Sequence, residues 1–166
     1  DVARPDSLAA RLRPGDHVGI GGMRFGYAPP PGTAHHLLVG DRCALPAVAA
    51  IVEALPHTAR IEAVLQGDAP ELIPAHPGLS ITWVPDDDAA LETARTAMAA
   101  APEAHGWAAG EASLARALAP VVAQPIAFWE RGRGSDERDA AAHARYRAAR
   151  AAGRDVFDPV VAQALD

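Results

Sequence analysis

Three stretches of this chain place residues capable of chemistry where a parallel sheet would gather them. The first is Gly40-Asp41-Arg42-Cys43-Ala44-Leu45-Pro46-Ala47. A glycine directly after an apolar run lets the chain turn tightly, and the helix that follows offers N–H groups and a positive dipole end to a phosphate. The second is Gly106-Trp107-Ala108-Ala109-Gly110-Glu111-Ala112-Ser113. Its small residues let a flat ligand approach the backbone, and Glu111 opens a helix, where a carboxylate also serves as a plain cap. The third is Phe128-Trp129-Glu130-Arg131-Gly132-Arg133. Neighbouring aromatics in a strand face opposite ways, so one of Phe128 and Trp129 should be buried and the other free to stack on a planar ring or to pack under the helical C-terminal tail.

Other chemistries find less support. The seven histidines include one adjacent pair, His35-His36, but no HxxxH or CxxC spacing occurs, so no metal site is expected. Neither a GxSxG elbow nor a P-loop is present. Cys43, at a helix start, reads as a small buried hydrophobe, with a thiol of lowered pKa as the alternative. Trp107, inside a strand, reads as core. All 15 basic residues are arginine, so Schiff-base and amine-nucleophile chemistry by lysine is excluded.

The elements that must position these residues follow from periodicity. Ser7 to Leu12 reads as a short helix and His17 to Ile20 as a strand. Glycine and proline clusters over residues 23 to 34 read as a linker, with a domain boundary near residue 33. Beyond it, His36 to Val39 is an apolar strand, and Leu45 to Leu55 carries apolar residues at helical spacing. Arg60 to Gln66 and Leu79 to Val84 read as strands, with residues 69 to 78 as a degenerate crossover between them. Asp86 to Asp88 cap a helix running to about Ala101. His105 to Ala109 is a strand closed by Gly110, Glu111 to Ala123 a helix and Ile126 to Trp129 a fifth strand. This order predicts an α/β fold with a mostly parallel five-stranded sheet flanked by helices. Ser135 to Ala152 reads as a charged surface helix, and Pro159 to Leu165 as a short last one.

Composition bounds the rest. The chain has 166 residues, 49% of them hydrophobic, which suits one domain with a real core. One cysteine forms no internal bridge, so a cytoplasmic location is the default. The net charge of −6 argues against nucleic acid as a partner, and no apolar run reaches the roughly 20 residues that span a membrane. The chain starts at Asp1, which leaves room for a removed leader or domain upstream.

Several segments, in order, resemble the siderophore-interacting protein family, the ferric-siderophore reductases of the ferredoxin–NADP reductase superfamily. They are Arg13-Pro14-Gly15-Asp16-His17-Val18-Gly19-Ile20-Gly21-Gly22, the Gly40 to Ala47 stretch, Trp83, Trp107-Ala108-Ala109-Gly110-Glu111-Ala112-Ser113 and Phe128-Trp129-Glu130-Arg131-Gly132. The resemblance implies the nucleotide half of a flavoenzyme, in which hydride passes from NAD(P)H to FAD and electrons pass singly to Fe(III). It implies that residues 1–32 are a remnant of the flavin barrel plus a linker, 33–133 an NAD(P)H-binding α/β domain and 134–166 a helical tail. Gly40, Asp41, Cys43 and Ala44 would then meet the nucleotide phosphates. Gly110, Glu111 and Ser113 would lie by the nicotinamide, and Trp129 at the flavin or nicotinamide edge. FAD would bind only with a barrel supplied, for example by a separate chain, and a ferric siderophore would be the final electron acceptor.

The departures from the family pattern are equally specific. The flavin motif Arg-x-Tyr-Thr/Ser has no counterpart. Cys43 stands where the family usually has Thr, and Phe128 where it has Tyr. Asp86-Asp87-Asp88 follows Trp83 where a basic residue for the NADPH 2′-phosphate is usual. These differences support a second reading, a stand-alone nucleotide- or protein-binding module that has lost flavin chemistry.

Overall fold

A computed structural model describes residues 11–16, 26–133 and 135–155; for 135–139 and 141–143 it describes the backbone alone. The early helix, the His17 to Ile20 strand and the Pro159 to Leu165 helix lie wholly or mostly outside those residues. The elements run β1 (His35–Gly40), α1 (Leu45–Ala54), β2 (Arg60–Gln66), β3 (Leu79–Val84), α2 (Asp87–Ala100), β4 (His105–Glu111), α3 (Ala112–Leu118), β5 (Gln124–Trp129) and α4 (Ser135–Ala151). The five strands form one sheet in the order β3-β2-β1-β4-β5, and every pairing is parallel.

Strand β1 is central and buried along its whole length, because helices cover both faces of the sheet. Alternation along the strands splits the apolar side chains into two cores. Leu38, Ile61, Leu65 and Trp107 pack with Leu45, Val48 and Val52 of α1 on one face. Leu37, Val39 and Val64 pack with Ala90 and Ala94 of α2 and Leu114 and Leu118 of α3 on the other. The alanines of α2 bring that helix close to the sheet. The strand order reverses direction between β1 and β4. That reversal opens a crevice at the carboxyl ends of these two strands, where open α/β sheets bind ligands.

Some boundaries differ from the periodicity reading. The crossover between β2 and β3 is reduced to a single 3-10 turn, Pro70–Leu72. Strand β4 continues through Gly110 to Glu111, because pairing with β5 resumes after a register shift there. Helix α3 stops at Leu118 rather than Ala123: Pro120 lacks the N–H that would extend it. Strand β5 starts at Gln124 and includes Pro125, which an edge strand tolerates. In α4, Ala149 is fully buried, so this helix has one docked position despite its charged composition.

Candidate functional site

The loop after β1 begins with Gly40, where a Cβ would lie 2.7 Å from the Ala44 Cβ, so only glycine lets the turn fold this tightly. Asp41 follows and is 5% exposed. Its Oδ1 accepts the N–H groups of Cys43 at 2.8 Å and Ala44 at 3.2 Å, capping a 3-10 turn, Arg42–Ala44, that leads into α1. Its Oδ2 accepts the Glu111 N–H at 2.8 Å and the Trp129 indole N–H at 2.6 Å. One carboxylate thus ties together the carboxyl ends of β1, β4 and β5. Gly110 has φ +150°, and a Cβ there would meet Asp41 Oδ2 at 2.6 Å. The glycine is required by that close approach.

Glu111 plays a second tying role. It caps α3, its Oε2 accepting the Ser113 N–H at 2.6 Å and the Ser113 hydroxyl. Its Oε1 accepts the Arg131 N–H at 3.0 Å. The Ser113 hydroxyl, then the Arg131 N–H, hold its pKa down to about 2. Glu111 is therefore a cap and also the anchor of the turn that follows β5.

That turn carries Arg131, whose guanidinium lies 5.9 Å from the Trp129 ring centroid. Beyond it opens a cavity of about 490 Å³ lined by Gln66, Pro85, Asp86, Asp87, Asp88 and Arg131. Asp86 caps α2 by accepting the Ala89 N–H at 2.9 Å, and Asp87 accepts from the Gln66 amide at 2.7 Å.

Gly40, Asp41, Cys43, Ala44, Gly110, Glu111, Ser113 and Trp129 all lie at or directly after the carboxyl ends of β1, β4 and β5. Two expectations about them are corrected. Cys43 is exposed rather than buried, because Asp41 directs the turn so that Ala44 points inward. Its thiol is also not activated: partial burial and the Asp41 carboxylate push its pKa up. Neither Phe128 nor Trp129 is fully buried. Strand β5 is an edge, which leaves Phe128 41% exposed against the Trp107 ring edge and Trp129 half-buried. Trp107 is core, 1% exposed, its indole N–H donated to the Gly26 carbonyl.

Sequence reasoning missed Gln66 and Tyr27. Gln66 ends β2 on the same sheet edge, so the strand-end rule that found Gly40 and Gly110 could have found it. Tyr27 had no local signal. Its hydroxyl bonds His36 Nδ1 and its ring packs edge-on to His105 and Trp107.

The crevice and the depression beside it bring hydrogen-bonding, charged and aromatic groups together. Gln66 and the aspartates can accept ribose hydroxyls, Arg131 offers a cation to a phosphate, and Trp129 offers an aromatic edge. The N–H groups of Cys43 and Ala44 are already taken by Asp41, so a phosphate would rely on Arg131 and the exposed Arg42 for charge. Among the described residues no group of three or more metal-ligating side chains occurs, and no helix is long and apolar enough to cross a membrane.

Comparison with known proteins places this arrangement. The curated relatives include the mycobactin import ATP-binding/permease protein IrtA of Mycolicibacterium smegmatis, 35% identical over 116 residues, which cover 64% of this chain and 13% of that protein. An uncharacterized protein of Mycobacterium tuberculosis is 35% identical over 79 residues, 46% of this chain and 28% of its own length. The chain therefore spans less than a third of the length of either relative. Among solved structures, the siderophore-interacting protein of Acinetobacter baumannii shares the fold with a TM-score of 0.62 at 20% identity, covering 80% of this chain and 63% of that one. The model of the siderophore-interacting proteins matches residues 33–132, from just before β1 to the turn after β5. That match takes in the sheet, its strand-end crevice and both tying carboxylates: the chain belongs to the siderophore-interacting protein family.

Proposed function

We propose that this chain is the NAD(P)H-binding part of a flavin-dependent ferric-siderophore reductase that helps release iron from siderophores. The observation that carries the reading is the convergence at the topological switch point. Three separate segments meet there, bound by one aspartate that accepts four N–H groups. The names of its relatives, a siderophore-interacting protein and a mycobactin import protein, support the same reading.

In this reading the chain's own residues bind and orient. Gln66 and the Asp86 to Asp88 run take the adenosine ribose, Arg131 takes the pyrophosphate, and Trp129 borders the nicotinamide. NAD(P)H bound here would supply hydride chemistry to a flavin held by a barrel, for delivery of single electrons to the substrate iron. Reduction weakens iron binding because hard oxygen donors prefer Fe(III) to Fe(II). Glu111 and Asp41 act as positioning residues that fix the crevice. The source of reduced nicotinamide nucleotide makes the cytoplasm its working compartment.

Calorimetry on the purified chain with NADH, NADPH, ADP-ribose and FAD tests the binding step. NADH and ADP-ribose should bind saturably and FAD should not. Trp129→Ala should weaken NADH more than ADP-ribose, which lacks the nicotinamide. If no nicotinamide nucleotide binds at millimolar concentration, the reading fails. If nucleotide binds but the chain joined to a flavin barrel cannot reduce a ferric siderophore, the non-catalytic binding module replaces it.

A further inference from the structure

Strand β1 opens on two histidines, and the sheet gives them opposite surroundings. His35 falls on the face of Leu37 and Val39, where Glu62 Oε1 lies 3.3 Å from its Nε2 and Glu103 Oε1 lies 3.2 Å from its Nδ1. His36 falls on the α1 face with Leu38 and is 1% exposed. Its Nδ1 bonds the Tyr27 hydroxyl, and its buried Nε2 has no hydrogen-bond partner among the described residues.

The groups around His36 offer a positive charge almost nothing. Residues 26–34, which lead into β1, supply Tyr27 and the Thr33 carbonyl. Strand β4 supplies His105, in register with His36, and β2 supplies Ile61 on the other side. Strand β5 supplies the neutral amide of Gln124. Helix α1 packs on this face, but Glu53 is its one ionisable residue and is exposed. Burial first and the His105 charge next hold the His36 pKa down, with His35 adding to them, while the Thr33 carbonyl works the other way. Tyr27 stays neutral, since burial pushes its hydroxyl up to about 12.

Residues 26–34 rest on this cluster. The Trp107 indole N–H donates to the Gly26 carbonyl, and the Ala28 N–H donates to Gln124 Oε1 at 3.1 Å. The Tyr27 ring packs edge-on to His105 and Trp107. Gln124 Oε1 also lies 3.0 Å from His105 Nε2. A backbone N–H can only donate, so the shared Gln124 atom is an acceptor and His105 Nε2 carries a proton. A further proton on His105 therefore goes to Nδ1, which keeps the bond to Gln124 and adds a charge beside His36.

We propose that residues 26–34 form a proton-released strap: protonation of His36 lifts Tyr27 and its neighbours from the sheet while the strands stay paired. The closed strap suits a neutral imidazole. An imidazolium would bury a charge whose Nε2–H nothing accepts, with His105 beside it, and a buried unpaired charge costs far more than an unpaired neutral atom. Lifting the strap lets water reach that N–H. The strap is the part that yields, because its ties run through single side chains, whereas β1 is hydrogen-bonded along both edges. With the strap lifted, His36 regains the ordinary value of ~6.5. The lifted population then rises about tenfold for each pH unit below ~6.5, until the closed form takes up the proton as well.

Hydrogen exchange read by NMR on the full chain tests the strap. The Ala28 amide and the Trp107 indole N–H report on it, and the Leu38 amide reports on β1. Protection factors, corrected for the intrinsic rate at each pH, should fall about tenfold for the strap reporters between about pH 6.5 and 5.5, while Leu38 stays level. His36→Gln keeps an acceptor for the Tyr27 hydroxyl and cannot take a proton, so its strap protection should not vary with pH. His105→Gln removes the neighbouring charge, so the closed form tolerates a proton sooner and the fall should shrink; this variant decides the matter if the buried substitution at 36 does not fold. Equal strap protection at both pH values overturns the proposal. So does a fall that persists in His36→Gln, a fall undiminished in His105→Gln, or a fall that Leu38 shares, which would be a loosening of the whole sheet.

Discussion

Asp41 carries more of this structure than any other polar side chain in the crevice. Asp41→Asn keeps one acceptor oxygen but turns an NH2 group toward two N–H donors. Leaving a buried donor unpaired costs about 1–3 kcal/mol, so the urea midpoint should fall accordingly, and tryptophan fluorescence should report the freed Trp129 indole. An unchanged midpoint would mean that those donors find water instead. Glu111 makes a pH prediction. Its folded pKa of about 2 lies below the ordinary glutamate value of ~4.3. As pH falls the unfolded chain takes up the proton first. The stability is therefore complete above ~4.3 and lost on the way down to about 2. Glu103 is lowered too and adds to the same limb. Glu111→Gln should flatten part of that loss in urea titrations from pH 7 to 2, and an unaltered acid limb would refute its assigned role. His36, held down by burial and by His105, contributes in a higher window. Its share is present above ~6.5 and lost as pH falls below that value, which NMR titration of the imidazole can follow.

At the scale of elements, α2 is the one whose start matters for function. Asp86 is both its N-cap and part of the cavity wall. Asp86→Ala should cost about 1 kcal/mol through the lost cap, read as a lower thermal midpoint. The acidic run makes a separate prediction about ligand choice. Carboxylates beside an added 2′-phosphate repel it, so NADH should bind at least tenfold more tightly than NADPH at low salt. Replacing Asp88 with arginine should narrow that ratio in calorimetry. Equal affinities in the parent chain would show that the ribose lies elsewhere.

The whole molecule is organised by one reversal of strand order, and the two levels of information divide around it. The parallel sheet was legible because local patterns repeat faithfully. Arg60 to Gln66 and Leu79 to Val84 alternate, Leu45 to Leu55 has helical spacing, and Asp86 is an unmistakable cap. The family was legible because short motifs survive at strand ends. What stayed hidden depended on contacts far apart in sequence. Cys43 looked like core because its exposure is set by how Asp41, reaching Trp129 from 88 positions away, orients the turn. Phe128 and Trp129 alternated as expected, yet nothing local says that β5 is an edge and cannot bury either one fully. Tyr27 meets His36 only because the chain entering β1 folds across the sheet. Composition and periodicity by themselves determined the elements, their parallel arrangement and the residues that crowd the carboxyl edge, since burial follows from which side chains water rejects. Only the tertiary structure decided that Asp41 and Glu111 work as ties, that Arg131 faces the aspartates and that β3 and β5 are the outer strands of the described sheet, because hydrogen-bond partners and sheet edges are properties of neighbours in space.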